Sequence, residues 1–142
     1  YISGIARDIT EFIDQIGLVP PMMWTGLRIA YHAACSLQHG QRVKAEPMAL
    51  LKRAGFTVAQ PRDSHLCCGS AGTYSVLQPE MSLNLRERKL GYLLGTGAGM
   101  VISANVGCIS HLQGGTDVPV RHWVELLDAH LPSGFPSLHV NN

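Results

Sequence analysis

Charge is scarce in this sequence. Asp, Glu, Lys and Arg make up 15% of the 142 residues and nearly cancel, leaving a formal +1. That balance excludes the basic surface that nucleic acid or an acidic membrane would require. Long apolar runs are missing too: none reaches the roughly 18–20 residues that span a bilayer, although 46% of the chain is hydrophobic. An apolar chain with so few charges points to a buried contact with a partner or a neighbouring domain. Cysteine is sparse. Four cysteines cannot staple a small secreted scaffold, so reduced thiols in a cytoplasmic setting are expected. No Cys-x-x-Cys occurs, which counts against a thiol–disulfide exchange site. The sequence opens at Tyr1 without methionine, signal peptide or transit-like segment, as a piece of something longer would.

What is present is organised around His65-Leu66-Cys67-Cys68-Gly69-Ser70-Ala71-Gly72. A bridge between adjacent cysteines is strained. Two thiols on a backbone freed by glycine suit a soft metal or a cluster better. Cys35 and Cys108 flank this stretch about equally far off. A lone cysteine is usually packing, but these four all fall just past expected strands, and ligation explains the set best.

Periodicity supplies those strands. Ile5, Ile9, Phe12, Ile13 and Ile16 recur at helical spacing and predict a helix ending at Gly17, followed by a Pro20-Pro21 connector. Leu27–His32 and Phe56–Gln60 predict buried strands, with a helix between them that starts near Pro47 and stops at Gly55. Pro79 opens a helix through Leu94 whose Arg86-Glu87-Arg88-Lys89 run reads as a solvated face. Met100–Ala104 predicts a third strand and Val118–Val120 a short edge strand marked by Pro119. A last helix is expected over Trp123–His130. The Gly95–Gly99 run precedes a strand, so it is a turn and no dinucleotide fingerprint.

Strand–helix alternation predicts an α/β fold with a mainly parallel sheet of about four strands flanked by helices. Ligands of such sheets bind at the carboxyl edge of the strands, where Cys35, Cys67, Cys68 and Cys108 would meet. The expected organisation is an N-terminal helix and connector over 1–26, a cysteine-rich domain over 27–131 and a tail over 132–142. Among the histidines, His32 reads first as a hydrogen-bonded core residue and otherwise as a support behind the ligands. His39 and His65 read as loop residues near the site that orient ligands or face solvent, and His122, His130 and His139 as surface. Trp24 and Trp123 read as packing anchors.

Cys35, 31 intervening residues (36–66), Cys67-Cys68-Gly69, 38 more (70–107), then Cys108-Ile109-Ser110-His111 resembles the cysteine-rich CCG domain of the heterodisulfide reductases. The Gly69–Val76 segment, Leu85–Lys89 and Asn105-Val106-Gly107-Cys108 are most similar to the C-terminal part of the glycolate oxidase iron–sulfur subunit. The resemblance implies an electron-transfer domain holding a [4Fe-4S] cluster, with zinc as the alternative in a structural or subunit-docking module. Implied partners are a flavin-containing subunit and others of a 2-hydroxyacid oxidase complex, passing electrons towards an acceptor such as quinone. Any membrane association would be peripheral, through that complex at the inner face. This domain would not be catalytic alone. The implied metal ligands are Cys35, Cys67, Cys68 and Cys108, with Gly69 and Gly72 letting the backbone approach the centre. Where the family closes with a second cysteine this chain has His111, which could add an imidazole.

Overall fold

The computed structural model describes residues 2–17 and 26–126. The Pro20-Pro21 connector, Trp24, His130, His139 and the tail from 132 on lie outside them.

In chain order the elements are α1 (Ile2–Ile5), α2 (Ile9–Gln15), β1 (Arg28–His32), a π-helical turn (Ser36–Gln41), α3 (Glu46–Arg53), β2 (Thr57–Ala59), α4 (Tyr74–Leu77), α5 (Pro79–Leu94), β3 (Met100–Ser103), α6 (Val106–Gln113), β4 (Val120–His122) and a 3-10 turn (Trp123–Leu126). The strands form one sheet in the order β2-β1-β3-β4, and every pairing is parallel. This is the α/β architecture the alternation predicts. The chain steps from β1 outward to β2, then crosses back to place β3 on the other side of β1. The order therefore reverses between β1 and β3, where parallel sheets open a crevice at their carboxyl ends.

Each face of the sheet buries its own core. Ile29, Tyr31, Met100 and Ile102 face Leu50, Leu51, Phe56 and Trp123. Ala30 and Val101 face Leu37, Leu90, Leu93, Leu112, Cys68 and Cys108. Burying Leu90 and Leu93 of α5 contributes roughly 1.5–3 kcal/mol each, which holds that helix on the face carrying the cysteines.

Several boundaries differ from the sequence reading. The first helix expected from Ile5 is interrupted: Asp8 caps α2 by accepting from Thr10 N, and Glu11 accepts from Asp8 N in return. Its apolar stripe stays largely uncovered, with Ile13 buried but Ile5, Phe12 and Ile16 exposed. Pro47 does lie in the first turn of α3, but a π-helical turn and Arg42 at φ 64° precede it. The edge strand is displaced by two residues to Val120–His122, although Pro119 still takes part through its carbonyl, which accepts from Val101 N. Trp123 is fully buried, but it begins a single 3-10 turn where a helix is expected, with the residues after Leu126 outside the described set.

One correction bears on the site. The Arg86–Lys89 run is not a solvated face throughout, because Lys89 is 1% exposed. Its Nζ donates to the carbonyls of Asp63 (3.2 Å) and Ser64 (3.0 Å), so a buried cation anchors the loop that leads into Cys67.

Candidate metal centre

All four cysteines line one cavity of about 380 Å³, together with Ser36, Ser70, Ala71, Gly72, Asn105 and Gly107. They arrive from three segments of the chain. Cys35 follows the end of β1 and opens the π-helical turn. Cys67 and Cys68 hang from the loop after β2. Cys108 sits just past β3 in the first turn of α6, where Asn105 caps the helix through hydrogen bonds to its Oδ1 from Gly107 N (3.0 Å) and Cys108 N (3.2 Å). The centre thus occupies the crevice where the strand order reverses.

No disulfide links the four thiols. Cys68 and Cys108 are buried, whereas Cys35 and Cys67 are half-buried. Cys68 is pushed down to about 4, first by a hydrogen bond from the Cys108 thiol and further by the His32 ring and the Ser70 N–H, with burial opposing. Cys108, the donor of that bond, is pushed far up. Cys35 is pushed up to about 11 by burial and then by negative charge at Cys67. One thiolate and one thiol sharing a proton leave the deep end of the cavity negatively charged and ready for a cation, which would release the remaining thiol protons on binding.

Backbone and side chains outside the cysteines complete the arrangement. Gly69 N donates to Cys67 Sγ at 3.3 Å. Lys89 lies within electrostatic reach of Cys35, Cys67 and Cys68; burial lowers its pKa while the sulfur charges raise it. Gly72, at φ +54°, lines the cavity and has open space where a side chain would stand.

The predicted imidazole is placed elsewhere. His111 lies on α6 with Nε2 3.3 Å from both the carbonyl oxygen and the hydroxyl of Ser82. The Ser82 carbonyl can only accept, so Nε2 carries the proton in this pairing, and His111 is not among the residues that line the cavity.

His32 is the histidine that meets the sulfurs. Fully buried at the end of β1, it bonds Ser103 through Nδ1. It forms with Cys68 and Cys108 the cluster of potential metal donors found among the described residues, their ligand atoms within 4.8 Å of one another. The expectation of a hydrogen-bonded core histidine holds for Nδ1, and the ring's nearness to the sulfurs answers to the other expectation, a support behind the ligands. Strand alternation held the signal: His32 shares its face with Ala30, the face against which Cys68 and Cys108 pack. A larger hollow of about 550 Å³ beside Arg28, Arg62, Tyr92 and Thr96 contains no thiol or imidazole.

The donors fit a soft-metal group. Thiolates with an imidazole are favoured ligands of zinc and of iron–sulfur centres. A water molecule's share of liquid volume is roughly 30 Å³, so the cavity has room for more than one atom.

Fold and site together define a cysteine-rich domain that gathers thiols at the reversal point of a parallel sheet. The chain belongs to the CCG cysteine-rich domain family, which matches residues 29–113. It is similar to the glycolate oxidase iron-sulfur subunit of Escherichia coli K12, with 37% identity over 130 residues, 92% of this chain and 32% of that protein. It is also similar to the uncharacterized protein YkgE of that strain (33% over 133 residues, 89% of this chain and 56% of that protein). Lactate utilization protein A of Shouchella clausii is 31% identical over 140 residues, 90% of this chain and 56% of that protein. The chain thus spans between a third and somewhat over half the length of these relatives.

Proposed function

We propose that this domain holds an iron–sulfur cluster of the [4Fe-4S] kind on Cys35, Cys67, Cys68 and Cys108. Its role is electron transfer within a complex that oxidises a 2-hydroxyacid such as glycolate or lactate. Electrons would come from a flavin-containing subunit and leave towards an acceptor such as quinone. The observation that carries this reading is the convergence of four thiols from three elements on one 380 Å³ cavity; four cysteines are what such a cluster takes. The names of the relatives, an iron-sulfur subunit and a lactate utilization protein, support the electron-transfer setting.

A bound cluster would supply one-electron redox chemistry. The protein's part is to set its electronics. Gly69 N–H on Cys67 and Ser70 N–H on Cys68 withdraw charge from sulfur, and the buried ammonium of Lys89 compensates the thiolates. His111 orders the Gly69 turn through Ser82. Partner subunits find exposed apolar surface close by: Val106, between two cavity-lining residues, is 79% exposed, and Val76 and Leu77 of α4 are exposed just after Gly72. No helix among the described residues is long and apolar enough to cross a membrane.

A second reading, a zinc-bound docking module, is favoured by the close trio of His32, Cys68 and Cys108. Anaerobic metal and sulfide analysis with a redox titration separates the two. Stoichiometric iron and sulfide with a reducible visible chromophore supports the cluster. Zinc alone, with no redox signal under anoxia, overturns it.

A further inference from the structure

His32 is more than a neighbour of the cysteines. Its ring is fully buried, with Nδ1 3.1 Å from Ser103 Oγ. Nε2 is equally buried and makes no hydrogen bond of good geometry; the group it faces is the Cys68 sulfur, whose thiolate the ring favours. Leaving a buried polar atom unpaired costs about 1–3 kcal/mol, and native folds rarely keep one without a use for it. Cys68 and Cys108 have their sulfurs within 4.8 Å of a ring nitrogen. Since Nδ1 is engaged by Ser103, the nitrogen free to serve this cluster is Nε2.

We propose that His32 is a nitrogen ligand of the centre through Nε2, on the buried wall it shares with Cys68 and Cys108. The inference rests on reading the cavity as a metal centre and adds a donor that the cysteine pattern does not contain. Ser103 is its positioning residue: in the metal-bound tautomer its hydroxyl accepts from Nδ1–H and the Nε2 lone pair is free, the arrangement by which ligating histidines are usually oriented. The β1–β3 register sets this pair directly opposite one another, so the sheet itself aims the ring. As an added neutral donor the imidazole brings no negative charge; where it displaces one of the four thiolates, the centre is one negative charge lighter and its reduction potential is raised.

The test uses this chain loaded anaerobically with iron and sulfide, and in parallel with zinc alone, after labelling its histidines with ¹⁵N. Pulsed electron paramagnetic resonance of the reduced iron protein reads the coupling of a bound imidazole nitrogen; X-ray absorption reads imidazole scattering around zinc. The signature is expected in the unmutated chain and in His111→Gln, and its loss is expected in His32→Gln. His32→Cys should retain metal without the nitrogen signature and lower the potential of the iron protein. Ser103→Ala should weaken metal affinity by roughly 10–100-fold. The measurement on the unmutated chain does not depend on any variant folding. Full metal uptake with no nitrogen signature overturns the role of His32 alone. A signature that survives in His32→Gln and vanishes in His111→Gln transfers the role to His111 and overturns it too. Failure to take up either metal overturns the metal-centre reading and this inference with it.

Discussion

The imidazole of His111 and the peptide of Ser82 are joined at 3.3 Å, tying α6 to α5 directly behind the Cys67-Cys68-Gly69 turn. Ser82 is 1% exposed, and its hydroxyl donates to the carbonyl of Gly69 at 2.8 Å. The turn is therefore clamped from behind by two helices while its thiols face the cavity. The arrangement explains why glycine follows the paired cysteines: a Cβ on Gly69 would collide with the Ser82 carbonyl and stand 3.0 Å from His111 Nε2, at a φ of +97°. The glycine serves helix packing behind the turn, while its N–H serves the sulfur in front.

Gly69→Ala should accordingly be far more damaging than Gly72→Ala. At Gly69 both the positive φ and a backbone collision oppose the methyl, and the φ alone costs on the order of 1–3 kcal/mol. At Gly72 only the φ opposes it, with open space around. Urea unfolding of the metal-free variants measures this. Equal losses at the two positions would remove the clamp argument.

Lys89→Met keeps the apolar stem and deletes the ammonium. The half-buried carbonyl of Ser64 loses its Lys89 donor and that of Asp63 keeps only Leu66 N; hydrogen bonds to a charged group contribute about 1.5–3 kcal/mol. Asp63 already sits at φ 48°, so its loop should loosen just ahead of Cys67. The expected result is a lower unfolding midpoint and faster alkylation of Cys67 in the metal-free protein. Unchanged alkylation would show that the lysine does not hold the loop.

The thiols make the stability of the metal-free protein depend on pH. Cys68 titrates near 4 in the fold against an ordinary value of 9.0. Between those values the unfolded chain binds more protons than the fold, so this group's contribution rises with pH across the window. It is complete above about pH 9 and is lost as pH falls towards 4. Cys35, pushed up to about 11 from the same ordinary value, acts with the opposite sign: its contribution is complete below about pH 9 and is lost as pH rises through 11. Unfolding midpoints should therefore climb between pH 5 and 8 in the unmutated chain, and Cys68→Ser should flatten that climb. Bound metal, which holds its cysteine ligands as thiolates, should shift the dependence to the pH at which metal is released.

The class of fold and the gathering of soft donors were legible in the residues alone. Apolar runs alternating with helical spacings can only bury their two kinds of face in a layered α/β arrangement, and paired thiols next to glycine point to a soft metal wherever they end up. Local pattern could go no further, because three decisions depend on contacts between distant segments. Strand order placed β3 beside β1, and this set Ser103 opposite His32 and left one imidazole nitrogen facing sulfur. Helix packing assigned His111 to Ser82, although its spacing from Cys108 suggested a ligand. Packing of α5 also drew Lys89 inward from a run of charges that reads as surface, since its ammonium found two carbonyls 25 and 26 residues earlier in the chain. A side chain's chemical type is written in the sequence; its partner, and hence its role, is fixed only when the chain closes on itself.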